Sequence, residues 1–335
     1  IVIDDISLSG EATSVGLHRY TLASGGATFN LTLSGTTLSV QKASGTTVVN
    51  LTNFTSGDFG ITLSADGGNV FIGTNGADNL LGTAGDDGMD GLGGNDTISG
   101  GAGGADEIHG GEGSDSITSV GTNSVLYGDN GEDSVTSSGA GSTLDGGEGD
   151  DVLVASGASS RMLGGLGIDR MTLNAANIGA DAGAGNDIIT VAGGASGAIV
   201  RGGADNDTIA VNLTSGTATI LGDEGNDTIN ASAATVALSL GGNEGDDSIA
   251  GGSGNDTINS GAGNDLLTGG LGDDVFAFLG TGDGRDVVTD TGGTVVIDNI
   301  TLSGTANTAS GNNYTLIVGG ATFNPTLVGP TLGIQ

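Results

Sequence analysis

The sequence predicts an all-β chain: a parallel β-roll (a β-solenoid) over residues 73–290, with a small antiparallel β module at each end, 1–72 and 291–335. Three observations predict it. An aspartate recurs at nearly constant spacing, inside a G-x-D phrase in every case but Asp207, and the residue two places later is apolar in all fifteen cases. Glycine supplies 70 of the 335 residues and aromatics only 3%, too few for a conventional large core. Stacked coils need only a thin stripe of Ile, Leu and Val between them. Finally, residues 3–41 align without a gap with residues 297–335.

The repeat reads Gly-Thr-Asn-Gly-Ala-Asp (73–78), Gly-Thr-Ala-Gly-Asp-Asp (82–87), Gly-Leu-Gly-Gly-Asn-Asp (91–96), and continues to Gly-Gly-Leu-Gly-Asp-Asp (269–274). Its acids are Asp78, Asp87, Asp96, Asp106, Asp115, Asp133, Asp151, Asp169, Asp187, Asp207, Asp227, Asp247, Asp256, Asp265 and Asp274. Glycines let the chain turn tightly and present its carbonyls, because positive φ costs them nothing. The apolar residue two places after each acid opens a short strand and points inward while its neighbours point outward. Two nonapeptides then make one flattened coil. Gly-Asn-Asp is good turn chemistry by itself, but turns alone do not call for an acid at one register in every coil. Oxygen-rich turns ending in a carboxylate suit a hard cation, and calcium takes roughly 6–8 oxygen ligands from carboxylates and carbonyls.

This pattern resembles the nonapeptide repeat of the RTX family of secreted calcium-binding proteins, over roughly residues 73–290. The resemblance implies a β-roll with the fifteen aspartates as calcium ligands, each ion lying between a turn and the turn one coil later. It also implies an extracellular or cell-surface location.

Sorting the nonapeptides by parity makes the ladder one-sided. One series keeps its acid in every coil, through Asp78, Asp96, Asp115, Asp133, Asp151, Asp169, Asp187, Asp207, Asp227, Asp247 and Asp265. The other has Asp87 and Asp106, loses the acid through Ser124, Ser142 and Ser160, and regains it at Asp256 and Asp274. A continuous calcium column is therefore expected along one edge, with single sites near both ends of the other. Eleven loops leave about ten inter-loop Ca2+ sites if each ion bridges neighbouring coils. Past Asp187 the interval lengthens to 20 residues for three coils, and the extra residues fall in 191–201, 211–221 and 231–241 on the acid-poor edge. They read as slack in the coil or as a raised lateral contact surface.

Forty acids against six bases give a formal charge of −34, which excludes a phosphate-binding surface and with it a nucleic-acid partner. Repulsion along the ladder should hold the chain open without calcium, so that binding and folding are coupled. No apolar run approaches the ~20 residues of a membrane span. Cysteine is absent, consistent with a surface protein that does without disulfides.

The two ends are near copies. Ile-Asp-Asp-Ile-Ser-Leu-Ser-Gly (3–10) matches Ile-Asp-Asn-Ile-Thr-Leu-Ser-Gly (297–304), and Gly-Gly-Ala-Thr-Phe-Asn (25–30) recurs at 319–324. Their short alternating runs read as antiparallel strands and hairpins. Such modules either cap the exposed end strands or join one subunit to the next, and a heterologous contact that does not close builds a filament. The chain could equally be one window of a longer tandem array.

No catalytic set emerges. There is no H-E-x-x-H, no G-x-S-x-G and no thiol. Of the two histidines, His18 aligns with Asn312 in the other copy, so the module needs no imidazole there, and His109 reads as a solvated side chain. The expectation is a non-enzymatic, calcium-dependent structural protein of an extracellular filament, sheath or surface layer, self-assembling head to tail through its end modules. The alternatives are an adhesin or spacer module contacting a glycan or cell surface, and the non-catalytic C-terminal part of a secreted enzyme.

Overall fold

A computed structural model describes residues 70–277 and 286–288 in full and, outside them, only the backbone of short strands. Every element described is a β-strand. The chain divides after Thr143 into two compact units.

In the first unit the strands alternate between two parallel sheets. Asn79–Leu81, Thr97–Ser99, Ser116–Ser119 and Ser134–Ser137 pair in that order. Val70–Ile72, Gly88–Asp90, Glu107–Glu112 and Val125–Asn130 form the other sheet. The registers put Ile98 beside Ile117 and Val135, and Met89 beside Ile108 and Leu126. Each of these six side chains is 2% exposed or less. The second unit repeats the arrangement, with one sheet from Val152–Ala155 to Val287–Thr289 and the other from Arg161–Leu166 to Val275–Ala277. Its inner stripe runs through Leu153, Met171, Ile189, Ile209, Ile229, Ile249 and Leu267. Every one of these residues stands two places after a ladder aspartate. Burying such a side chain contributes about 1.5–3 kcal/mol, and each coil contacts only the coils before and after it, so stability accumulates coil by coil.

The 20-residue coils solve a local problem. Their extra residues carry Ala195, Leu213 and Ala234 into the interior, all 1% exposed or less. Ala218 is also buried, at 5%. This part of the acid-poor edge is thus lined with apolar groups, and Ala218 faces the core rather than an outside contact.

At the chain ends the backbone of short strands is described. Arg19–Ser24, Ala27–Ser34, Thr37–Lys42 and Val48–Leu51 pair antiparallel in order. Asn313–Val318 pairs antiparallel with Asn307–Ser310 and with Ala321–Phe323. The side chains of both modules, with His18, lie outside the described residues, as does the capping or joining role expected of the modules.

Candidate metal centre

One edge of each unit is built from the ladder aspartates, and backbone hydrogen bonds fix their register. In the first unit the N–H of Asp78 donates to Oδ1 of Asp96 (2.7 Å), that of Asp96 to Asp115 (2.7 Å), and that of Asp115 to Asp133 (2.7 Å). In the second unit the chain of donors runs from Asp151 to Asp169 (2.8 Å), then Asp187 (2.7 Å), Asp207 (2.8 Å), Asp227 (2.8 Å), Asp247 (2.8 Å) and Asp265 (2.8 Å). It continues to Asp286, whose Oδ1 accepts from the Asp265 N–H at 3.0 Å. Asp286 is a member that the sequence reading missed. Its signal was present, since Gly284-Arg285-Asp286 keeps the G-x-D phrase and the apolar residue two places later, Val288, is buried, but 21 residues separate it from Asp265.

Oδ1 is used in this way; Oδ2 is not. Among Asp96, Asp115, Asp169, Asp187, Asp207, Asp227 and Asp247, the Oδ2 atom is buried with no hydrogen-bond donor. These carboxylates are 3% exposed or less. Burial pushes the pKa of Asp115 and Asp227 up, that of Asp169 to about 6, and those of Asp133, Asp187, Asp207 and Asp247 to about 7. A neighbouring ladder carboxylate adds to the rise at Asp115, Asp133, Asp187, Asp207 and Asp247. A buried carboxylate without a donor is costly unless a proton or a cation meets it.

Asp96, Asp169, Asp207 and Asp247 each hold this oxygen over a glycine. A methyl group on Gly91 would run into Asp96 Oδ2 and the carbonyl oxygen of Gly110. One on Gly164 would meet Asp169 Oδ2 and the Ala182 carbonyl, and one on Gly202 would meet Asp207 Oδ2 and the Gly222 carbonyl. The same holds at Gly242 for Asp247 and the Ser260 carbonyl. These four coils each bring one carboxylate oxygen, and one carbonyl oxygen of the next coil, over the same α-carbon; before Asp187 that place is held by Ala182. Hard oxygen donors without nitrogen or sulfur fit calcium. Among the described residues no three acidic or imidazole side chains converge on one point, so carbonyls must complete the set.

The acids at the ends of the ladders are satisfied differently. Asp78 Oδ2 accepts from the N–H and hydroxyl of Thr74 (2.6 and 2.8 Å), and Asp87 Oδ2 from the N–H and hydroxyl of Thr83. Asp256 Oδ2 accepts from the Gly252 N–H at 2.8 Å. Asp106 Oδ2 accepts from the Ser119 hydroxyl at 3.0 Å, while its Oδ1 accepts from the Asp87 N–H at 3.2 Å. Asp274 continues the acid pair of this edge, taking the Asp256 N–H on Oδ1 at 2.8 Å. In these four places, Asp78, Asp87, Asp106 and Asp256, protein donors occupy the oxygen that Asp96, Asp115, Asp169, Asp187, Asp207, Asp227 and Asp247 leave open.

Serines take over the second edge of the first unit. The Asp106 N–H donates to Ser124 Oγ at 3.1 Å, so a hydroxyl stands where the ladder elsewhere has a carboxylate. With the Ser119 hydroxyl given to Asp106, the one Ser124 hydroxyl proton serves either Ser119 Oγ at 3.0 Å or the Gly121 carbonyl at 3.2 Å. The pattern recurs one coil on, where Ser137 donates to Ser142 (3.0 Å) and Ser142 to the Gly139 carbonyl (3.0 Å). In the second unit, Ser160 donates to the Gly157 carbonyl at 2.8 Å, and the register then passes to the buried Ile178, Ala198, Ala218 and Leu238 before Asp256.

Asparagines before the ladder acids do more than favour turns. Asn186 Oδ1 accepts the Asn206 N–H (3.0 Å), Asn206 that of Asn226 (2.7 Å), and Asn226 that of Asp246 (2.7 Å), making a second ladder that locks turn to turn. His109 is not simply solvated. It stacks on Tyr127 with ring centroids 4.5 Å apart, and its Nδ1 lies 2.9 Å from Asp129 Oδ2.

A family model described as the RTX calcium-binding nonapeptide repeat (4 copies) matches residues 72–104, 109–140, 127–162, 136–171, 214–234 and 241–276. No curated protein matches the chain. Residues 172–213, between matches, keep the same coil and the Asp187–Asp207 link. With these matches, the parallel solenoid and the rows of buried aspartates, the chain belongs to the RTX family of calcium-binding nonapeptide-repeat proteins.

Proposed function

We propose that this protein is a secreted, calcium-stiffened structural roll that serves as a subunit of an extracellular filament, sheath or surface layer. The observation that carries the calcium part is the row of buried Oδ2 atoms without donors, those of Asp96, Asp169, Asp207 and Asp247 paired with a next-coil carbonyl over a glycine. Calcium is held by Asp96, Asp115, Asp133, Asp151, Asp169, Asp187, Asp207, Asp227, Asp247 and Asp265, with Asp286 closing the row. Asp274 is a further ligand at the far end of the other edge. Asp78, Asp87, Asp106 and Asp256 act chiefly as hydrogen-bond acceptors. About ten ions follow if each bridges two coils.

When bound, calcium supplies the positive charge that these carboxylates lack. The protein's own groups set the register, through the Oδ1 acceptors, and exclude water from Oδ2. Because the unfolded chain has no preformed site, ion binding becomes folding free energy. Calcium-rich surroundings outside a cell then switch the chain from open to stiff. The duplicated end modules support end-to-end joining, since unlike surfaces at two ends can meet without closing.

Light scattering and electron microscopy in chelator and then in millimolar calcium test the reading. Long ordered particles that appear only with calcium are expected. A compact calcium-loaded monomer at high concentration overturns assembly and leaves a spacer or adhesive rod.

A further inference from the structure

Acidic and amide residues dominate the turns of the calcium edge, with one exception. At the two outward turn positions the second unit carries Glu148 and Asp150, Ala184 and Asn186, Ala204 and Asn206, Glu224 and Asn226, Glu244 and Asp246, and Ala262 and Asn264. The coil between the first two of these pairs has Leu166 and Ile168 instead. Both are exposed, at 56% and 42%. On the adjoining sheet face, Val152, Arg170 and Ile188 stand side by side in register. Val152 is 41% exposed and Ile188 39%.

Four large apolar groups thus crowd around one arginine within three coils. The chain has only six Lys and Arg in all against forty acids, so a cation here is itself uncommon. On the neighbouring coil the acids Glu148 and Asp150 are exposed, and Asp150 Oδ1 takes the Ile168 N–H at 2.7 Å. The exception also has a structural cost. Asn186 passes the turn-to-turn ladder to Asn206, but isoleucine at 168 has no oxygen with which to do the same for Asn186. An exposed apolar cluster that gives up a hydrogen bond marks a contact surface rather than a solvated turn.

We propose that this patch, centred on Leu166, Ile168 and Arg170, is a lateral docking surface for a second copy of this chain. Charge decides the occupant. An isologous contact needs a surface that carries its own complement, and this one holds a cation among apolar groups with the acids Glu148 and Asp150 on the preceding coil. The surface is built from coil residues 148–188 and uses no residue of the end modules. It deepens the structural reading by giving neighbouring rolls a side-by-side contact, and it rests on that reading only for its use in an assembly.

The absence of cysteine gives a direct test. In calcium-loaded full-length protein, Ile168→Cys should form a disulfide-linked dimer on mild oxidation at least tenfold faster than the control Thr228→Cys, which sits on an exposed position of the same face. End-to-end joining does not bring two copies of residue 168 together, so this result separates the two contacts. In parallel, sedimentation velocity compares the parent with Leu166→Glu/Ile168→Asn, residues that other turns of the unit carry. The parent should show a reversible monomer–dimer equilibrium. The variant should associate at least tenfold more weakly, with unchanged calcium stoichiometry. Cross-linking no faster than the control, a parent that stays monomeric, or undiminished association of the variant overturns the proposal.

Discussion

Asp207→Asn changes one oxygen to an amide nitrogen and should shift stability in opposite directions with and without calcium. In the metal-free roll, Asp207 Oδ2 is buried without a donor beside the Gly222 carbonyl, and burial with the charges of Asp187 and Asp227 raises its pKa from 3.8 to about 7. The folded state therefore holds a proton that the unfolded chain releases. Stability from this group is full below the unfolded pKa and is lost as pH rises through the folded value. At pH 7.5 the loss is on the order of 4 kcal/mol, from ~1.36 kcal/mol per unit of pKa. Asparagine escapes it, keeps the Oδ1 bond that accepts the Asp187 N–H at 2.8 Å, and can donate toward Gly222. In chelator, far-UV circular dichroism should show a larger folded fraction for the variant than for the parent. In millimolar calcium the order should reverse, because the ions on either side lose a charged ligand, and equilibrium dialysis should reach a plateau lower by one or two ions. An unchanged plateau, or a variant less folded in chelator, would refute the reasoning.

The remaining predictions concern the same machinery. Proton and calcium compete for carboxylates with pKa values of about 6 to 7, so calcium affinity should fall more than tenfold between pH 8 and pH 5.5. In chelator the roll should gain stability over the same descent; a pH-independent calcium titration would contradict both. Gly202→Ala places a methyl against Asp207 Oδ2 and the Gly222 carbonyl at a residue whose φ is not positive. Ala182 already stands at the equivalent place before Asp187, so the expected effect is weaker calcium binding at that coil, with the site kept and no backbone strain, read by isothermal titration. Ser142→Ala removes the acceptor of the Ser137 hydroxyl and the donor to Gly139. It should cost about 1–3 kcal/mol in urea titration while calcium stoichiometry stays as in the parent.

The roll was legible in the sequence because its two periodicities coincide: an acid that fixes the turn, and an apolar residue two places later that fixes the inward face. The one-sidedness was legible as well, since it is a question of which nonapeptides carry the acid. What replaces the acid was not. Ser119 and Ser137 act five residues before the serines that they pair with, and no repeat spacing points to them. Ala198, Ala218 and Leu238 follow the lengthened loops that hide the register, Ile178 keeps the 18-residue step from Ser160 without its hydroxyl, and only the stacking reveals that they continue the column of Ser124 and Ser142. Nor does sequence spacing distinguish Asp106 from Asp115, although a serine hydroxyl reaches the open oxygen of the first and nothing reaches that of the second. Asp286 followed the acid-then-apolar rule and was passed over for its irregular spacing. Asn186, Asn206 and Asn226 looked like turn formers, and their chain of side-chain acceptors appears only when successive turns are superposed along the coil.

The central claim is that calcium occupies one edge while hydroxyl and apolar groups hold the other. A crystal structure of the calcium-loaded chain, with ions located by their anomalous scattering, tests it most directly. The account predicts ions against Oδ2 of Asp96, Asp115, Asp169, Asp187, Asp207, Asp227 and Asp247, and none beside Ser124, Ser142, Ala198 or Ala218. Ions along the serine edge, or carboxylates of the acid edge that remain without them, would contradict it.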